Sequence, residues 1–154
     1  MAYEQLKLSN QLCFPIYAAS RLITREYQPY LDKLGITYPQ YIALLVLWEN
    51  NGITVNDITQ KLILNTNTVT PLLKRMEALG LITRERSKND ERKVIVKLTE
   101  KGEKLQEQAA EIPHKLAQGL VETSISLEEI MGLKNNLNLI IEYLKNKDHN
   151  YNDE

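Results

Sequence analysis

Cysteine is nearly missing from this chain: among 154 residues the only one is Cys13. A lone cysteine excludes an intramolecular disulfide and any cysteine-rich zinc site built within one chain. Histidine is scarce as well. His114 and His149 stand isolated and far apart, so neither reads as a catalytic base or a metal ligand, and no metal or cofactor is expected. No apolar run approaches the ~20 residues a membrane span requires. The opening MAYEQLKLSN carries no apolar stretch of the secretory kind. The expectation is a soluble, cytoplasmic protein with no membrane contact. Net charge is close to absent too: 19 Lys+Arg against 20 Asp+Glu leave -1. What is present is ordinary, with 43% hydrophobic and 25% charged residues, enough for one domain or for two small lobes sharing a core.

The near-zero charge conceals a segregation. Residues 61–104 carry eleven basic side chains and six acidic ones, a net of +5, while the rest of the chain is at -6. A basic middle between acidic ends suits a protein that turns one face to a polyanion. On charge alone, a solvated surface strip explains the clustering equally well.

Periodicity orders the chain. Leu8, Leu12, Ile16, Ala19, Ile23, Tyr27 and Leu31 recur at spacings of three and four, predicting a long helix with Ser9 as its cap and Gly35 as its end. Thr37 and Gln40 form a capping box around Pro39, opening a helix that is apolar nearly all round from Tyr41 to Trp48. Thr54 caps a short helix with Val55, Ile58 and Leu62 inward. Asn65 caps another with Val69, Leu72, Leu73, Met76 and Leu79 on one face, interrupted by Pro71 and stopped by Gly80. The period then changes to two: 81–86 and 93–98 read as strands joined by a charged link. Thr99 caps a helix that Pro113 kinks or interrupts. Ser126 and Glu129 box the start of a last helix with Ile130, Leu133, Leu137, Ile140, Ile141 and Leu144 inward.

Two short helices followed by a charged hairpin make a winged helix-turn-helix. The fold class is mainly α with a small β-hairpin wing. The DNA-binding lobe spans 37–107, a helical dimerisation region is formed by 1–36 with 108–147, and 148–154 is a polar tail. The outer helices either join two chains or pack only on each other. A reader of two-fold-symmetric DNA needs two recognition helices, which favours the homodimer. In this motif the second helix enters the major groove by its N-terminal end, here Asn65, Thr66, Asn67, Thr68 and Thr70. Asn bonds adenine and Thr methyls touch thymine, a weak lean toward A·T. Lys74 and Arg75 are placed for phosphates. Arg86, Lys88, Arg92 and Lys93 belong to the wing, with Asp90 able to hold Arg92 in one rotamer.

Cys13 falls near the start of the first helix, where backbone N–H groups favour a thiolate. Tyr17 lies one helical turn on. By spacing alone Cys13 stays open between a small buried hydrophobe and a reactive thiol. The strings at 68–77, 80–84, 90–92 and 98–102 resemble the MarR family of winged-helix repressors. More narrowly, Gln11-Leu12-Cys13-Phe14, Tyr17-Ala18-Ala19-Ser20-Arg21 and the segment 34–41 resemble the organic hydroperoxide resistance regulators. That resemblance implies that Cys13 senses peroxide and that Tyr27 and Tyr38 reach it from a partner subunit, with Tyr17 nearby. It also implies that Arg92, steadied by Asp90, enters a minor groove. Many relatives carry Asp-Ser-Gly-Thr where this chain has Asn65-Thr66-Asn67-Thr68, which puts a shared operator in doubt. No second cysteine is present to resolve an oxidised first one, so the chain resembles the one-cysteine subgroup.

The expectation is therefore a homodimeric repressor that binds pseudo-palindromic double-stranded DNA while Cys13 is reduced. Organic hydroperoxide is the oxidant, and a small cellular thiol completes the switch. One alternative is a regulator of the same fold controlled by an aromatic ligand among Tyr17, Tyr41 and Trp48. Another is a thiol peroxidase, though no Thr and Arg arrangement around the cysteine suggests an enzyme.

Overall fold

The computed structural model describes residues 3–121 and 125–151. Two 3-10 turns, Glu4–Leu6 and Leu8–Asn10, precede helix α1, Cys13–Leu34. There follow α2 (Tyr38–Glu49), strand β1 (Ile53–Thr54), α3 (Val55–Leu62), α4 (Thr66–Ala78), β2 (Ile82–Arg86), β3 (Val94–Leu98), α5 (Glu100–Ala109), α6 (Ile112–Val121) and α7 (Leu127–Tyr151). The chain divides into two compact units, Met1–Ile112 and Pro113–Glu154. Among the described residues no helix is long and apolar enough to cross a membrane.

The first helix starts three residues later than expected from Ser9 as its cap. Ser9 lies in a 3-10 turn and Leu12 takes the cap position without a side-chain bond. Proline explains the delay. A helix begun after Ser9 would place Pro15 where its missing N–H and its ring conflict with the carbonyl of Gln11. Started at Cys13, the helix holds Pro15 in its first turn, where no N–H is needed. Pro29 lies deeper in α1, and the helix continues through it. Gly35 ends α1 in the left-handed region, φ 67°. A residue with a Cβ is disfavoured there.

Helix α2 is central, as its all-round apolar pattern requires. Tyr41, Ala43, Leu44, Val46 and Leu47 are buried, and the Gln40 side chain accepts the Thr37 N–H at 2.8 Å to close the capping box. Around α2 pack α1, α3, α4 and α5. Ile58 of α3 and Val69, Leu72, Leu73 and Met76 of α4 complete the core. Three expected core positions fall short: Val55 and Leu62 are half-buried, and Leu79 is exposed at the mouth of the α4–β2 turn.

The sheet has three strands, in the order β1-β3-β2, all antiparallel. The hairpin predicted from the period-two pattern is β2 and β3, with Arg84 opposite Val96. Strand β1 is an addition to the prediction. At two residues it is too short to show a period, and its pairing of Ile53 with Val96 spans more than forty positions.

Helix α5 ends at Ala109 and α6 starts at Ile112. Pro113 thus interrupts the helical path and sits in the first turn of α6, where it does no harm. Ser126 and Glu129 form the predicted box at α7, with bonds of 2.8 and 3.2 Å. Helix α7 reaches Tyr151, so the expected tail begins as helix. Residues 152–154, and the side chain of His149, lie outside the described residues.

The caps confer a pH dependence. The Asp57 carboxylate accepts the Thr54 hydroxyl at 2.7 Å and its N–H at 2.9 Å. Those bonds hold Asp57 below the usual carboxylate range, and the same arrangement with Ser126 lowers Glu129. Because the folded value is the lower one, the stabilisation is complete above the unfolded value of roughly 4. It is lost as pH falls through the folded value. Thr54→Ala is expected to cost about 1 kcal/mol at pH 7. The gap to the native protein should narrow at pH 3, as read by urea unfolding at both pH values.

Candidate nucleic-acid interface and thiol site

The first turn of α4 presents Asn65, Thr66, Asn67 and Thr68 as exposed side chains, with Thr70 half-buried behind them. Asn65 occupies the cap position in extended backbone but makes no capping bond with its side chain. Its amide is therefore left for an external partner. The buried stripe Val69, Leu72, Leu73 and Met76 points the opposite way. Hydrophobic periodicity thus decides which face of α4 is turned outward. Lys74 and Arg75 are also exposed.

The wing tip behaves as its sequence suggested. Arg92 is 91% exposed, and its Nε donates to Asp90 Oδ1 at 3.2 Å. The Arg92 N–H donates to the same oxygen at 3.1 Å. So exposed a pair adds little to stability. Its effect is to order a side chain that would otherwise sample many rotamers. Lys88, Arg86 and Lys93 are exposed around it. Between the start of α3, the first turns of α4 and the wing base lies an open cleft of about 340 Å³, lined by Thr66, Thr70, Arg84, Arg92 and Lys93 among others. The cleft thus brings together Thr66 and Thr70 of α4 with Arg92 and Lys93 of the wing, whereas Asn65, Asn67, Thr68, Lys74, Arg75, Arg86 and Lys88 lie outside its lining.

Two features of this lobe escaped the sequence. Glu77 near the end of α4 binds Arg84 of β2 through three bonds. Its Oε2 accepts from Nη2 at 2.7 Å and Nε at 3.0 Å, and its Oε1 accepts the Arg84 N–H at 3.1 Å. Hydrogen bonding from Arg84 holds the Glu77 carboxyl below its usual range. The start of α5 also closes the exit of α4. The Thr99 hydroxyl donates to the Gly80 carbonyl at 2.6 Å, and Lys101 Nζ to the Leu79 carbonyl at 2.8 Å.

Cys13 is the first residue of α1 and is exposed, which removes the reading as a buried hydrophobe within one chain. Tyr17, one turn on, is exposed with Arg21 over its ring at 5.6 Å. Tyr27 and Tyr38 pack edge to face with centroids 5.2 Å apart, and Tyr41 joins them at 5.5 Å from Tyr27. Burial raises all three phenols, Tyr41 to about 12, so each keeps its proton at neutral pH and is available as a donor. Fourteen residues of helix separate Cys13 from Tyr27, about 21 Å along the axis. No side-chain rotamer closes that gap inside one chain. Tyr41 is 2% exposed and meets Trp48 edge-on, and Trp48 Nε1 donates to the Gly102 carbonyl at 3.0 Å. These two rings are packing elements of the lobe. Among the described residues no group of three or more His, Cys, Asp or Glu is placed to hold a metal ion.

A family model of SarA/Rot transcriptional regulators matches residues 25–109. The organic hydroperoxide resistance transcriptional regulator of Bacillus subtilis is 50% identical over 145 residues, covering 94% of this chain and 97% of its own length. Among solved structures, reduced AbfR bound to DNA, a protein of Staphylococcus epidermidis, is 39% identical with a TM-score of 0.73. That match covers 92% of this chain and 96% of the other. Overoxidised AbfR bound to DNA matches with a TM-score of 0.74 at the same identity, over 92% and 97% of the two chains.

Proposed function

This chain belongs to the winged-helix transcriptional regulators of the SarA/Rot and MarR type, and from that premise we propose that it is a homodimeric repressor that holds operator DNA while Cys13 is reduced and releases it when an organic hydroperoxide oxidises that thiol. The observation that carries the reading is the place of Cys13: an exposed thiol at the start of a helix, in a chain half identical to a hydroperoxide resistance regulator.

The reaction has two steps. The Cys13 thiolate attacks the OH-bearing oxygen of the hydroperoxide, the O–O bond breaks, and the leaving alkoxide takes a proton from water to become the alcohol, with the sulfur, oxidised by two electrons, becoming a sulfenic acid. A small cellular thiol then displaces water from that sulfenic acid to give a mixed disulfide. No second cysteine in the chain competes for this step.

The 21 Å between Cys13 and the chain's own Tyr27 supports a site shared between two chains. Two α1 helices running antiparallel would set the Cys13 of one chain beside the protonated phenols Tyr27 and Tyr38 of the other, with Tyr17 adjoining. Oxidation exchanges a charged acceptor for a neutral group, and the mixed disulfide adds volume that a packed interface cannot absorb. The spacing of the two α4 helices, which DNA requires to be about 34 Å, is then lost.

Cys13→Ser tests the reading. On a duplex selected from a randomised pool by the reduced native protein, the variant is expected to bind with native affinity and to stay bound after cumene hydroperoxide. The native protein should release and gain the mass of the added thiol. Release of the variant by peroxide would sink the proposal.

A further inference from the structure

The wing must reach DNA in register with the first turn of α4. Its base is seated on the helices, with Ile82 and Val96 buried, β2 against α4 and β3 against α2, α3 and α5, but from Thr83 outward the strands alternate toward solvent. Strand β3 is held on one side by β1 through two residue pairs, Ile53 with Val96 and Thr54 with Ile95. Strand β2 is the free edge of the sheet. On that free edge Arg84 is caught by Glu77, on the recognition helix itself, through both a guanidinium fork and the backbone N–H. The Arg84 side chain is 22% exposed and spends its charge on this one partner. Resting on the reading of this lobe as a DNA reader, we propose that the Glu77–Arg84 pair is a positioning device. It fixes the angle between α4 and the wing, so that Arg92 arrives at DNA when the Asn65–Thr70 end is seated.

The geometry shows why such a device is needed. From Arg84 to the hairpin tip at Asn89 is five residues, an arm of about 16 Å. Ten degrees of free play at its base moves the tip by about 3 Å, whereas a hydrogen bond tolerates only some tenths of an ångström in length. The Asp90 carboxylate orders Arg92 relative to the tip alone. The packing of Leu81 and Ile82 fixes the root of β2, and Glu77–Arg84 is the polar contact that extends the tie from α4 two residues further toward the tip. The arrangement is suited to this because two guanidinium N–H groups on Oε2 and the backbone N–H on Oε1 restrain direction as well as distance.

Charge arithmetic makes the test decisive in sign. Glu77→Gln removes a negative charge from the DNA-facing lobe, so simple electrostatics predicts tighter binding. The positioning role predicts weaker binding, by about tenfold, with loss of the wing's minor-groove protection in hydroxyl-radical footprints. Arg92→Ala should show a similar loss and a salt dependence shallower by about one counterion per wing. The double variant E77Q/R92A should bind no worse than R92A, because the pair acts through Arg92. Arg84→Lys keeps the charge but not the fork. It should also lose wing protection, and it carries the test should E77Q fail to fold.

The duplex is the one selected from a randomised pool by the reduced native protein. Native or tighter binding by E77Q with wing protection intact would overturn the inference, as would losses from E77Q and R92A that multiply. If the native protein shows no wing protection and R92A costs nothing, the reading of the wing as a DNA contact fails, and the inference with it.

Discussion

Replacing Gly102 by alanine is expected to destabilise the protein by roughly 3 kcal/mol, the upper end of what overpacking a tight contact costs. A Cβ built on Gly102 would lie 2.1 Å from the Leu81 carbonyl oxygen and 3.1 Å from a Leu98 methyl. The first of these is backbone, at the entrance to β2, and cannot swing aside. The helix would have to move, and α5 is tied down at this point by other bonds. The Gly102 N–H donates to the Thr99 hydroxyl at 3.1 Å, and the Gly102 carbonyl accepts from Trp48. Gly102 is helical, with no positive φ, so space and not backbone freedom makes the glycine necessary. In a chain of this length each kcal/mol lowers the melting temperature by about 2–4 °C, so Gly102→Ala should melt about 10 °C below the native protein. A Tm within 2 °C of native would show that α5 can slide. Since Thr99 and Lys101 close the end of α4, the variant should also weaken DNA binding at temperatures where it is still folded.

A second large effect is expected along α1, where Ile16 and Ile23 share one face. Phe14, Ile16, Tyr17, Leu22 and Ile23 are all exposed on the single chain, and the only buried residue of α1 is Leu31. Helix α7 likewise exposes Leu133, Ile140, Ile141 and Leu144, which its sequence had turned inward. Large apolar side chains left exposed along a helix point to an interaction site, and each of these two helices carries several. A charge placed inside such a face is left unpaired on association and costs several kcal/mol. Ile16→Asp with Ile23→Asp should therefore give a folded chain of single-chain mass in sedimentation, because neither residue supports the core. Two linked reading heads gain about a hundredfold or more over one, and the monomer should lose that factor in operator affinity. A variant that still sediments as a dimer would place the interface elsewhere and remove the shared thiol site with it.

Much of this protein could be read from residues close together in the chain. Each capping box at Thr37, Thr54 and Ser126 spans four positions, and the stripes of α2 and α4 repeat within a turn or two. The change of period after Gly80 announced the wing, and Asp90 lies two residues from the Arg92 it holds. Such signals are local, so the sequence alone determined the order of the helices and the hairpin, the winged lobe, its outward α4 face and the solitary Cys13 near a helix start. Tertiary structure decided the contacts between distant segments. Strand β1 exists only because β3 offers it an edge. Gly102 is required only because Leu81 passes beneath it. Glu77 and Arg84 are near in sequence, but they belong to a helix and a strand that Gly80 folds back on each other, and no periodicity of either element pairs them. Hydrophobic pattern tells a side chain only whether to be buried; which chain buries it, and against what, is a property of the assembled fold.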